Sequence, residues 1–258
     1  MNIRQSISLI DLQARMSLKS EASRLYLSYL WWVFEPLLFV GVFYVVFQFL
    51  LARGQENFVL FLMCGKIPYL WFSKSITMAS NSLLMNKGLI AAANLPKIIF
   101  PYISIQEVLY KQWIVFLVLF IVATYYGSYP DPIWFWLIPL VITNYVFLLC
   151  LSLIAAMLVT YVQDFRILIN MGLLFLMFAS GIFWDIHDIQ SEYWRNFVMT
   201  ANPLAFIIDA YRLIIIDNVL YDTQHLFCLF IIFSTGTLIA HKLFAKLNYS
   251  LTRQVLQS

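Results

Sequence analysis

The sequence predicts an all-α integral membrane protein with six transmembrane helices, a helix outside the bilayer before them, and two short helical interruptions between them. Three observations carry this. Hydrophobic residues make up 62% of the 258 and charged ones 11%, with a mean hydropathy of +0.82. A soluble domain of this length carries about twice that charged fraction. Six apolar runs approach the roughly 20 residues that a helix needs to cross. Finally, lysine and arginine gather on alternate connections between the runs. The chain divides into an N-terminal segment, 1–29, and one transmembrane domain, 30–258.

Residues 1–29 read as an amphipathic interface helix. Ile3, Ile7, Ile10, Ala14 and Leu18 follow helical spacing, as in a helix lying on a membrane surface. Leu9, Leu12 and Met16 point elsewhere, so two apolar faces place it between lipid and protein; a partly ordered tail is the alternative. Charges recur from Arg4 to Arg24 with no short apolar core, so no cleavable signal is expected and the first span acts as its own membrane signal. The first span, about 31–51, opens on Trp31 and Trp32 as interfacial anchors, with Glu35-Pro36 in its early turns, where a missing donor matters little. The second, about 58–84, holds Lys66 and Lys74. Lysines are costly against lipid, so these are expected to face a cavity or a partner, or to snorkel outward.

Between the second and third spans lies a polar island, Asn86-Lys87-Gly88-Leu89-Ile90-Ala91-Ala92-Ala93-Asn94. It reads as a tiny helix over 86–94, capped by Asn86 and ended by Asn94 and Pro96. So short a helix is unstable alone in water, which points to docking on a separate protein. The third span, about 105–126, carries Glu107 and Lys111 at the favoured four-residue spacing for an ion pair. The fourth, about 133–161, has no charge. Gln163-Asp164-Phe165-Arg166 turns the chain into the fifth, about 167–184, and the sixth covers about 226–244 before a short basic tail. The stretch 185–222 is outside the spans. Asn202-Pro203 is a cap followed by proline at the first helical position. The helix that follows, to about Ile216, is too short to cross, and its Asp209 and Arg212 are spaced to pair. A short apolar helix bearing charges reads as re-entrant.

With the N-terminus inside, ten lysines and arginines lie in cytosolic segments, against Arg53, Arg195 and Arg212 outside. Both termini and the island are therefore expected in the cytosol. Cys64, Cys150 and Cys228 each sit in an apolar run and form no metal or disulfide pattern. The net charge of +3 gives no reason for a nucleic-acid partner. No GxxxxGK loop occurs, so the chain lacks that route to ATP hydrolysis. The three histidines are scattered, and no nucleophile sits near a base. No catalytic residue, metal or bound cofactor is expected.

Several segments, in order along nearly the whole chain, resemble the permease subunits of ABC-type polysaccharide exporters. They are 27–36 at the entry to the first span, Gly65-Lys66-Ile67-Pro68-Tyr69-Leu70-Trp71-Phe72-Ser73 in the second, and Asn86-Lys87-Gly88-Leu89-Ile90 with Leu95-Pro96-Lys97 and Pro101 at the island. Ser180-Gly181-Ile182-Phe183 and 202–212 follow. Gln163 stands where the family has arginine, and Gly181 where it has proline.

The resemblance implies a homodimer of six-span subunits in the bacterial inner membrane, with two copies of a separate ABC ATPase that binds ATP and Mg. It makes 86–94 a coupling helix and 190–217 two gate helices. Its cargo is a lipid-linked polysaccharide such as O antigen on undecaprenyl diphosphate, capsule or teichoic acid. Apolar sugar faces rest on aromatic rings, so Tyr29, Trp32, Phe175, Phe178 and Phe183 are candidates for the path, with the ordinary interfacial belt as the alternative. Arg24 and Arg212 suit phosphate oxygens, while Arg212 equally suits Asp209. Two other classes are set against this. An ion-coupled secondary transporter predicts internal repeats, which are not seen. A membrane transferase has only Asp185, Asp188 and Glu192 as an outer acidic group.

Overall fold

The computed structural model describes the backbone of residues 3–24, 28–46, 57–93 and 95–257, with side chains in these ranges except at positions 3, 24, 28 and 29. The described residues are helical throughout, without strands. In order they form α1 (Ile3–Arg24), α2 (Ser28–Tyr44), α3 (Phe58–Met85), α4 (Lys87–Ala92), α5 (Ile99–Tyr125), α6 (Leu137–Tyr161), α7 (Phe165–Ala179), α8 (Glu192–Ala201), α9 (Pro203–Ile215) and α10 (Thr223–Gln257). A 3-10 turn, Pro132–Trp136, leads into α6, and another, Ile186–Asp188, follows α7.

The bundle is built around α3. It packs against α2, α5, α6, α7 and α9, and every residue from Leu60 to Tyr69 is buried. A helix enclosed by protein has no lipid to satisfy, so it tolerates two lysines and four serines that an exposed span would not. Among the described residues, three helical stretches are by length and apolarity able to cross a membrane, α5, 132–161 and α10, or four if α8 and α9 form one broken span. The six apolar runs therefore do not translate directly into six such helices. Residues 30–44 of α2 and all of α7 are apolar but short, at 10–17 residues, and α3, about 42 Å long, is diluted by its polar side chains. The first span's end, 47–51, lies outside the described residues.

The sixth run differs most from expectation. The helix does not stop near 244 but continues to Gln257. Its last turns stay ordered because Phe244, Leu251 and Val255 form a fully buried stripe at helical spacing, and α10 lies along α6. At the N-terminus, α1 packs on α5: Tyr110 donates its hydroxyl to Asp11, and Lys111 pairs with both Glu21 and Glu107, the latter at 3.0 Å. Ala14 is buried and Ile10 and Leu18 are half-buried, but Ile7, which spacing puts on the same face, is exposed together with Leu12 and Met16.

Candidate functional site

Two ends of the bundle carry the residues singled out above. At the first, α4 stands between α3 and α5. Asn86 precedes it, but its side chain does not cap: Nδ2 instead donates to the Ser82 carbonyl of α3 at 2.8 Å. Ile90 is the buried anchor of α4, whereas Lys87, Gly88 and Leu89 are exposed. The next segment is tied down by Lys97, whose backbone N–H donates to Asn248 Oδ1 of α10 at 3.0 Å. Asn94 lies outside the described residues. Burial alone lowers the ammonium pKa of Lys97, and its Nζ donates to the Leu95 carbonyl.

At the opposite end, α8 and α9 meet at 104°. Asn202 makes the corner. Its Oδ1 accepts from the N–H groups of Leu204 and Ala205, and its Nδ2 donates to Ser180 Oγ at 2.9 Å and to the Ala179 carbonyl. One side chain thus caps α9 and fastens it to the end of α7. Pro203 occupies the first helical position, as the sequence predicts.

Arg212 is 4% exposed and reaches across to α3. Its guanidinium donates to the carbonyls of Gly181 at 2.7 Å, Ile182 at 3.0 Å and Phe61 at 3.4 Å, and lies 3.4 Å from the centre of the Phe61 ring. The pairing with Asp209 that their spacing allows is not formed: Asp209 instead meets His187 Nε2 at 3.1 Å. Five fixed donors serve two carbonyls in the turn after α7 and one on α3. Gly65 makes room, since a Cβ there would come within 2.9 Å of Arg212 Nη2. Gly181 turns the chain with a φ of +72°, a conformation open to glycine. Asp185, His187 and Asp209 hold their ligand atoms within 4.8 Å of one another, a donor set able to hold a metal ion among the described residues. Asp217 nearby has its carboxyl pushed up, by burial and then by Asp185.

Between these ends the aromatic candidates separate. Phe183 stacks on Phe43 of α2 at 4.4 Å, with Phe39 at 6.2 Å and Phe178 at 5.4 Å. Phe175 lies on the exposed face of α7. Trp32 lies elsewhere, 5.4 Å from the Lys111 ammonium, in a cleft of about 300 Å³ that it lines with Trp31, Glu35 and Lys74. The side chains of Tyr29 and Arg24 lie outside the described residues. Sequence reasoning missed Phe39 and Phe43, whose four-residue spacing puts them on one helix face, and the role of Lys66. Its ammonium sits 3.3 Å from the Phe39 ring centre and 3.5 Å from Met177 Sδ. Lys74 pairs with Glu35.

Residues 14–216 match the family model described as ABC-2 type transporter. The chain belongs to the ABC-2 type transporter family. Two curated relatives from Klebsiella pneumoniae, each described as O-antigen export system permease protein RfbA, are 26% and 27% identical to it. A Myxococcus xanthus protein of the same description is 24% identical. Each match covers 86% of this chain and 85% of the relative. As an ABC-2 transporter the chain is a multi-pass transport subunit, and membership implies partnership with an ABC ATPase. The match takes in α2 through α9, and so both ends described above; all of α10 lies beyond it.

Proposed function

We propose that the chain is the membrane permease of an ATP-driven exporter that carries lipid-linked polysaccharide from cytosol to periplasm, with undecaprenyl-diphosphate-linked O antigen as cargo. Capsule and teichoic acid are the alternatives within the same family. The observation that carries the reading is the similarity over 86% of the chain to proteins described as O-antigen export permeases.

In this reading the subunit lies in the inner membrane with six spans, α2, α3, α5, α6, α7 and α10, and with both termini cytosolic. The polar α3 serves as a span because protein shields it, while α2 and α7 are short but apolar. Two copies form a homodimer with two ATPase subunits, which hold ATP and Mg; this chain binds no cofactor. The helix α4, with Asn86, Lys87, Gly88, Leu89, Ile90 and Asn94, receives the ATPase's movement. The helices α8 and α9 form the gate, hinged at Asn202 and Pro203, with Asp209 and Arg212 as its polar elements. Phe178 and Phe183, together with Phe39 and Phe43, line the path, where stacked rings let sugar faces slide without trapping them. Trp32, Tyr29 and Phe175 are further contacts along it, and Arg24 contacts the diphosphate. The carbonyls around Arg212 support a framework role for it over a phosphate contact.

The test is export of glycan by the complex reconstituted in vesicles. Deletion of residues 87–92 is expected to abolish export while ATP hydrolysis persists. Export that survives the deletion would sink the coupling role of α4. Export without any ATPase would favour a secondary transporter.

A further inference from the structure

We infer that the last turns of α10 clamp the two loops at the α4 end of the bundle into one moving body, and that Asn248 is the positioning residue of this clamp. The inference rests on the reading of α4 as the element that the ATPase moves.

Three contacts carry it. The Lys97 N–H, just after α4, donates to Asn248 Oδ1 at 3.0 Å. Tyr161, the last residue of α6, donates its hydroxyl to Ser250 Oγ at 2.9 Å. The carbonyl of Tyr161 accepts from Gln254 Nε2 at 3.4 Å. The first loop is thus bonded to one residue of α10, and the second to residues two and six positions further on. The helix between is rigid and seated: Phe244, Leu251 and Val255 are each at most 1% exposed. The Lys97 amide needs this partner. It follows Pro96 in the short link before α5, outside both helices, and at a residue only 2% exposed. A buried N–H without an acceptor is strongly disfavoured, so Asn248 is built into the link.

A displacement of α4 that drags Lys97 therefore drags α10, and through Tyr161 it moves the turn at 162–164 from which α7 starts. The helix α7 ends at Ala179, and Asn202 is bonded to the Ala179 carbonyl and to Ser180 just after it. The clamp supplies a mechanical route from α4 to the α8–α9 corner that does not run through α3.

The experiment uses the full chain in complex with its ABC ATPase and follows hydrogen exchange in peptides covering 84–98 and 158–168, with and without ATP. In the wild type both regions are expected to respond. In Asn248→Ala the response at 84–98 persists, while that at 158–168 falls about five-fold, the weight of one hydrogen bond; glycan exported per ATP hydrolysed falls in step. Asn248→Asp keeps the acceptor oxygen and restores both. Tyr161→Phe removes only the hydroxyl and is expected to reproduce the loss, which keeps the test decisive if Asn248→Ala does not assemble. An undiminished response at 158–168 in either variant overturns the clamp. A wild-type complex that shows both responses but moves no glycan overturns the exporter reading and leaves the clamp standing.

Discussion

Arg212 shows how much one buried side chain settles. Its three carbonyl partners come from two separate segments, so it fastens α9 to α3 and to the turn after α7 at once. Replacing it with methionine takes the guanidinium donor from the Gly181 and Ile182 carbonyls, which lie outside any helix. The expected loss is about 2 kcal/mol of stability, read as a lower melting temperature of the purified chain. Arg212→Lys is expected to recover only part, since an ammonium cannot span the three acceptors as a planar fork does. Gly65→Ala acts on the same contact from the other side, and the shift it forces is expected to lower stability by about 1–3 kcal/mol. A titratable contact holds α1. The Tyr110 hydroxyl that donates to Asp11 holds its carboxyl below the ordinary value of 3.8, with Arg15 adding to the effect. A depressed carboxylate contributes stability above its unfolded pKa and loses it as pH falls through the folded one. Protection of α1 from hydrogen exchange is expected to fall as pH drops below about 4, and to lose that dependence in Asp11→Asn.

Among the elements, α3, α9 and the α3–α5 link were legible from sequence, while the length of α10 was not. The signals at Asn202-Pro203 and Glu107–Lys111 are local: a cap, a fixed φ and a four-residue reach are decided within one turn of helix. Asn86 shows the limit of such signals, because a nearby Ser82 carbonyl outcompetes the amides it would cap. The Arg212 contacts could not be read at all, as they join residues 30 to 151 positions apart. The full length of α10 was hidden by the polar residues that alternate with its buried stripe. Asn202 is the natural test of the corner it makes. Asn202→Ala removes the cap of α9 and its bonds to Ser180 and Ala179, and is expected to lower stability by about 1–2 kcal/mol. Asn202→Asp keeps the cap but gives up the donors, so a smaller loss separates the two functions.

For the molecule as a whole, what faces outward matters as much as what is buried. In α7 only Leu173 is buried, and Ile167, Leu168, Met171, Phe175 and Phe178 are all more than half exposed. Such a face needs lipid or a second subunit over it. In the proposed homodimer, a single cysteine at Phe175, on a background lacking Cys64, Cys150 and Cys228, is expected to cross-link to its counterpart in membranes. Leu238 on the far-reaching α10 is exposed too and serves as the comparison site. The enclosure of α3 bears on something else, the making of the protein. A segment with Lys66 and Lys74 is a poor candidate to leave the translocon by itself, because its charges would meet lipid before their partners arrived. Glu35 on α2, which pairs with Lys74, and Phe39, which covers Lys66, precede it in the chain. Biogenesis is therefore expected to release α2 and α3 together as a neutralised hairpin, so that the central helix of the finished bundle is the one least able to enter the membrane unaccompanied.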